Sequence, residues 1–494
     1  MTRRAGVLVH PTALPGGHGV GDLGPGARAF LDWLAAAGFS GWQMLPLAVS
    51  GPFGCPYSSP ASGIGEPSLI SLDDLVTADL LTEAELPAAP PLPDHPIDFG
   101  AVTVTKRPPL ELAARRLLAS PNHPWARSLA VFRAEQPDGP SMALFRVLHR
   151  ARDGAPWWTW ESALGSALPS ALDRARLEHS SALAVEETLA FFFERQWSAL
   201  RGRANELGIA VVGDLPIYVA ADSADVWAHP ELFELSPEGR PLRVAGVPPD
   251  VFAPSGQRWG NPLYNWEAHA AESYAWWCER VAQAQGDFDL IRLDHFRGFA
   301  SYYAIDADSP DGRSGVWLPG PGRALFAAIE ADLGRVPFIA EDLGFITGEV
   351  DALRIACGLP SMRVLQFGLD GTTDNPHVAA NIPEDAVVYT GTHDNATARG
   401  WLNSASPAVR EGALALLDCA AADFVDRLVN VALESPASWA FVPVQDLLDL
   451  GDEARMNVPG TVFGNWDWRL STGDLSDPLA AKLADWLAAA ERSR

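Results

Sequence analysis

The chain has 494 residues, with 36 Lys+Arg against 62 Asp+Glu and a formal net charge of −26. That balance argues against a partner chosen for its phosphates, whether nucleic acid or an anionic membrane surface. A hydrophobic content of 48% with 20% charged residues excludes a disordered chain. The four cysteines, Cys55, Cys278, Cys357 and Cys419, are too few and too scattered for a disulfide framework, which suits a reduced compartment. The apolar run near the N-terminus stops at His10-Pro11, too short for a secretory signal, so a cytoplasmic protein is expected.

In chain order, Gly6–Val9 reads as the first strand. The run Gly19-Val20-Gly21-Asp22-Leu23-Gly24 matches GxGxxG, but Pro11 and Pro15 separate it from that strand. Asp22 would also face a pyrophosphate, so the run is read as a loop and not as a dinucleotide site. A helix over Ala27–Ala37 stops at Gly38 and precedes the strand Gly41–Leu45. The next 150 residues, with a Pro-rich stretch from Pro87 to Pro96 and the aromatic cluster Trp157-Trp158-Thr159-Trp160, read as a helical insertion over about 48–184. A helix over Val185–Leu207 stops at Gly208 before the strand Ile209–Asp214. A second insertion, rich in Pro, Gly and Trp, spans about 220–272, and the strand Leu290–Asp294 follows it.

Helices over Arg323–Leu333 and Val350–Cys357 end at Gly334 and Gly358, before the strands Val336–Glu341 and Met362–Gln366. Ala386–Tyr389 and Trp439–Val444 supply two more strands. The last helix is expected to begin with Asp477 as N-cap and Pro478 at its first position. Helices that end at a glycine and lead into short apolar strands imply a parallel sheet with right-handed crossovers. Eight such strands define a (β/α)8 TIM barrel, with inserted, mainly helical subdomains and no C-terminal β-sandwich. All 494 residues are expected to form this single catalytic unit.

Several chemistries are excluded. Only Lys106 and Lys482 are lysines, there is no Walker loop, no HExxH and no GxSxG, and no close His/Cys cluster suggests zinc. In a barrel the strand ends carry function. Here they are Asp214, Arg292 and Asp294, Glu341 and Asp342, then His393 and Asp394. Any one of these acids could be a helix cap; four successive strands ending in carboxylates ask for another explanation. Arg292 and Asp294 are two apart on one strand and share a face, so a guanidinium can hold a nucleophilic carboxylate ionised, though a structural pair would look the same. Glu341 ends an apolar strand, where desolvation suits a carboxyl to proton donation. One ionised and one protonated carboxyl about 5–5.5 Å apart is the requirement of retaining glycoside chemistry. Metal chemistry with the acids as ligands is the rival, weakened by the scarcity of His. Eighteen Trp suit a sugar ligand, with Trp259 the candidate that lies on no periodic face.

The motifs Val7-Leu8-Val9-His10-Pro11-Thr12, Val212-Gly213-Asp214-Leu215-Pro216, Gly256-Gln257-Arg258-Trp259-Gly260-Asn261-Pro262 and Arg292-Leu293-Asp294-His295-Phe296-Arg297-Gly298 lie in order along the chain. Ala340-Glu341-Asp342-Leu343-Gly344, Gly391-Thr392-His393-Asp394-Asn395, Arg455-Met456-Asn457 and Gly464-Asn465-Trp466-Asp467-Trp468-Arg469 follow. Together they resemble the amylomaltases, the 4-α-glucanotransferase or disproportionating-enzyme family, glycoside hydrolase family 77. The resemblance implies Asp294 as nucleophile, Glu341 as general acid/base and Asp394 as the third carboxylate. It implies that Tyr57, Asp214, Arg292 and His393 hold the donor sugar, and that Asp250, Gln257, Trp259, Asp370 and Asn465 contact the glucan. Three positions depart from the family pattern: Cys55 replaces a serine, Val251 an aromatic and Ala396 an acid.

The activity implied is transfer of α-1,4-glucan segments between maltooligosaccharides with retention, needing no cofactor and no metal. The alternatives are an α-1,4-glucan hydrolase and a non-catalytic glucan-binding protein. The segment Pro248–Pro254, with three prolines, Val251 and Phe252, reads as a lid that keeps water from the intermediate. No nucleic acid or membrane partner is expected, and a monomer is the simplest assembly.

Overall fold

The structure, a computed structural model, describes residues 3–87, 96–136, 141–249 and 253–493. Most of the Pro-rich stretch, and the lid residues Asp250, Val251 and Phe252, lie outside the described residues. In chain order the strands are β1 (Arg4–Leu8), β2 (Gly41–Gln43), β3 (Ala210–Leu215), β4 (Arg243–Val247), β5 (Gln257–Pro262) and β6 (Leu290–Leu293). Next come β7 (Ser301–Asp306), β8 (Val316–Pro319), β9 (Phe338–Ala340), β10 (Ser361–Val364), β11 (Ala386–Tyr389) and β12 (Trp439–Pro443). Eight of them form one parallel sheet in the order β10-β11-β12-β1-β2-β3-β6-β9. Its two ends meet where the Ala340 N–H donates to the Pro360 carbonyl at 3.2 Å, giving the (β/α)8 barrel.

These strands are short and almost wholly buried, as a sheet covered by helices outside and filled within must be. Val212, Ile339, Met362, Val364, Val387, Tyr389 and Phe441 fill the barrel interior. Gly6 makes room for one of them, since a Cβ there would run into the Phe441 ring. The four helix-ending glycines all turn the chain with positive φ: Gly38 at 84°, Gly208 at 65°, Gly334 at 73° and Gly358 at 64°.

The helix Asp477–Ala489 is capped by Ser476, whose hydroxyl accepts from the Leu479 N–H, so Asp477 is its first helical residue and not its N-cap. A serine one residue earlier competes for the cap, and Asp477 then faces the positive helix end. Beyond this helix, the fully buried Arg492 donates to the carbonyls of Leu433, Ser435 and Ala437 before β12 and to that of Arg4 in β1. No helix of the described residues is long and apolar enough to cross a membrane.

The region 48–184 is helical, with Phe99–Leu118, Ala126–Ala134, Met142–Arg150 and Pro169–Glu178 as its longer helices. The second insertion carries something not foreseen. Its β4 and β5 join β7 and β8, from the segment after β6, in an antiparallel sheet of order β5-β4-β7-β8.

Lys106 lies inside the helix Phe99–Leu118 with only 1% of its side chain exposed. It donates to Asp22 Oδ2 at 3.2 Å and to the Ser68 carbonyl at 2.7 Å. Asp22 also accepts from the Gly24 N–H at 3.0 Å, just ahead of the helix Pro25–Ala36. The loop with the GxGxxG spacing thus fastens the insertion to the barrel. Lys106→Met would strand a buried carboxylate and should destabilise the protein by about 3–5 kcal/mol. Denaturant unfolding of parent and variant checks this, and a change within error would show that the pair contributes little.

Candidate active site

The site is built where β3, β6, β9 and β11 end. Pairing β3 with β6 sets Asp214 directly opposite Arg292. Arg292 Nη1 donates to both Asp214 oxygens, at 2.9 and 2.7 Å, and to Asp294 Oδ1 at 2.9 Å. Arg292 and Asp214 have 4% and 1% of their side chains exposed, against 25% for Asp294. Burial pushes the Asp214 carboxyl up and Arg292 pulls it back, while Asp214 and Asp294 together hold the guanidinium well above its ordinary range despite burial. Among the described residues, Asp294 Oδ2 carries no hydrogen bond.

Glu341 follows β9 and is locked to the turn after β6. Its N–H donates to the Leu293 carbonyl, and its Oε2 accepts from the His295 N–H at 2.7 Å. His295 reaches that position through a left-handed backbone, φ 47°, uncommon for a residue with a side chain. Glu341 Oε1 accepts from the Leu343 N–H at 3.1 Å. Burial pushes the carboxyl from its ordinary 4.5 up to about 8; Arg292 opposes this and the charge of Asp294 adds to it. The two neighbouring carboxyls therefore sit in opposite settings, Asp294 ion-paired with Arg292 and Glu341 pushed toward its protonated form, the condition for dividing nucleophile and acid between them.

Tyr57 arrives from the first insertion. Its hydroxyl donates to Asp214 Oδ2 at 2.8 Å and must therefore accept from His393 Nε2 at 2.9 Å, which assigns the proton to that nitrogen. The rings of Tyr57 and His393 stack with centroids 5.4 Å apart, and Trp466 packs against both. His393 Nε2 also lies 3.4 Å from Asp394 Oδ2, and Asp394 Oδ1 accepts from Asn457 Nδ2 at 2.6 Å. Behind them His10 is buried and held neutral, pushed down to about 3 by burial and by His393.

The strand-end acids are not helix caps. The helices Ala224–Ala228 and Ala398–Ser404, after Asp214 and Asp394, are capped by Ser223 and Thr397. Asp342, beside Glu341, has another place: it accepts from the Met362 N–H at 2.7 Å and pairs with Arg354 and Arg363 away from the site. Of the remaining expected residues, Trp259 packs edge-on against His295 at 4.8 Å, and its indole N–H donates to Gln257 Oε1. Asp370 is exposed and bonded within its own turn to Thr372 and Asn375. Asn465 is bonded to the Val458 N–H and the Thr461 carbonyl, so it shapes its own loop while its neighbour Trp466 reaches the cluster. Asp250 lies outside the described residues. Asn457 and Trp466 join the site without having been singled out; each sits in a quoted motif, but nothing in the spacing points to a partner.

A barrel whose strand ends gather a buried Arg–Asp pair, a second carboxylate and an acid that burial pushes toward its protonated form is a carboxylate-dependent (β/α)8 enzyme. The comparisons narrow that class. The family profile described as 4-alpha-glucanotransferase, glycoside hydrolase family 77, matches residues 9–476. The 4-alpha-glucanotransferase of Thermus thermophilus is 42% identical over 100% of this chain and 99% of its own length. The chloroplastic/amyloplastic 4-alpha-glucanotransferase of Solanum tuberosum is 41% identical over 98% of this chain and 86% of its length. The amylomaltase of Streptococcus agalactiae, solved with acarbose, superposes with a TM-score of 0.95 at 33% identity, each chain covered in full. The chain belongs to the 4-alpha-glucanotransferase family and is an enzyme of that type.

The upward push on Glu341 makes a stability prediction that does not depend on activity. Between pH 4.5 and about 8 the unfolded chain releases the Glu341 proton and the folded protein keeps it. Stability is therefore lost as pH rises through that window, by at most about 1.4 kcal/mol per pH unit, since the carboxyl opens partly to the cleft. Glu341→Gln removes this loss. Its melting temperature relative to the parent should climb from pH 4.5 and level off above pH 8 in scanning calorimetry. A difference constant across that range would refute the shifted ionisation.

Proposed function

We propose that the enzyme moves α-1,4-glucan segments between maltooligosaccharides by double displacement. Asp294 Oδ2 forms a bond to the anomeric carbon as the glycosidic bond breaks, and Glu341 gives its proton to the departing 4-oxygen. The acceptor's 4-hydroxyl then returns a proton to Glu341, its oxygen bonds to the anomeric carbon, and Asp294 leaves, with net retention. Asp394 stabilises the oxocarbenium-like state. Asp214, Tyr57, Arg292 and His393 hold the donor sugar, and Gln257 and Trp259 the neighbouring glucan. The single observation that carries this reading is the ion pair of Asp294 with Arg292 beside Glu341, whose carboxyl burial pushes up to about 8.

Maltotriose is the test substrate. A transferase yields glucose together with a ladder of longer oligomers; short products alone would mean hydrolysis, and no products a binding protein. Asp294→Asn keeps the size and most hydrogen bonds of the nucleophile and should lower turnover by at least about 10⁴-fold without unfolding the protein. Activity near the parent's level would remove Asp294 from the role. Glu341→Gln should slow transfer from maltotriose by about 10²–10⁴-fold, yet recover much of the first half-reaction with a glucosyl fluoride, whose leaving group needs no proton. If the fluoride gains nothing over maltotriose, the acid is another residue.

A further inference from the structure

The strong negative charge of the chain conceals a local inversion in the first insertion. Glu186, 3% exposed, is shared by three guanidiniums. Arg146 Nε lies 3.0 Å from its Oε2 and Arg150 Nη2 2.7 Å from its Oε1, and Arg107 also binds Oε1. Arg107 reaches Glu111 as well, at 2.7 Å, and Arg115 completes the group from the other side of Glu111, also at 2.7 Å. Around Glu186 itself three guanidiniums meet one carboxylate, and only Arg107 among them is shared with Glu111. A like charge held in place without compensation is costly. Burial and the guanidiniums of Arg107 and Arg146 together bring Arg150 below its ordinary value, with Glu186 opposing.

All four arginines line a cavity of about 870 Å³, large enough for a small molecule. Lys106 at its edge is neutralised by Asp22. Glu66 reaches the wall too, but its oxygens accept from the N–H groups of Ser50 and Ser68. Asp153 is exposed to solvent. The same wall contains Val104, in a helix that continues through Pro108 and Pro109. The cavity thus offers guanidinium forks together with apolar side chains, among them Val49, Val102 and Leu110.

We propose that this cavity binds a phosphate monoester of a small molecule, with the phosphate against Arg107, Arg146 and Arg150 and the rest of the molecule along Val49, Val102 and Leu110. Planar guanidiniums match phosphate oxygens in pairs, and a phosphate supplies acceptors for the N–H groups that Glu186 leaves unused. The site lies apart from Asp294 and Glu341 and does not depend on their roles.

Titration calorimetry of the full chain in chloride buffer, with inorganic phosphate, glucose 1-phosphate and AMP as separate probes, tests this. At least one ester should bind more tightly than inorganic phosphate. Arg150→Gln, which leaves Glu186 with two partners, should weaken binding about tenfold or more, the value of one charged hydrogen bond. Arg115→Gln, at a side chain 61% exposed, should weaken it less, and Asp294→Asn not at all. The proposal is overturned if no probe binds at millimolar concentration or if inorganic phosphate binds as well as both esters. It is also overturned if Arg150→Gln changes nothing or if Asp294→Asn abolishes binding.

Discussion

One guanidinium holds the site together. Arg292 stands between Asp214 on the neighbouring strand and Asp294 two residues ahead, with both carboxylates within 2.9 Å of the same nitrogen. Asp214 is too buried to remain ionised alone, and Arg292 too buried to remain unpaired. Their mutual dependence fixes the spacing of the β3 and β6 ends. It also bears on Glu341: a carboxylate maintained at Asp294 makes a second negative charge nearby unfavourable.

The remaining residues are placed by a loop that has its own fastening. The segment carrying Tyr57 is closed at its base by a bridge between Ala48 and Gly65, and Glu66 ties down the N–H groups of Ser50 and Ser68. Tyr57 can then meet Asp214 and His393 as a fixed group, which lets its single hydroxyl proton choose one direction. Lys106 and Asp22 anchor the helix that follows.

The barrel was legible because its signals are local. A helix periodicity, a glycine with positive φ and a short apolar run are contained in some twenty residues; four of the eight strands follow from that pattern and the other four from their apolar runs. The antiparallel sheet was not legible, because β5 is half exposed, contains Gly260 and Pro262, and pairs with β4 through a register shift. Nothing in β4 announces that its other neighbour is β7, on the far side of a barrel strand. Site residues followed the same rule. Arg292 and Asp294 could be read from a two-residue spacing, whereas the bond from Asn457 to Asp394 spans 63 residues. Nothing in the sequence around Lys106 announces that its side chain is buried, 1% exposed, against Asp22.

The clamp made by Arg492 has a consequence for how the chain is made. β1 lies between β2 and β12, so one of its edges has no partner until residues 439–443 exist. The carbonyl of Arg4 waits for a side chain 488 positions later. At about 5–20 residues per second, synthesis leaves that edge unpaired for tens of seconds. Throughout this interval the nascent protein carries an open parallel strand beside an apolar interior, the condition that invites intermolecular pairing. Residues 439–443 and Arg492 therefore decide whether β1 has spent its wait alone or with the wrong neighbour, and a chain stalled short of them is a candidate for chaperones.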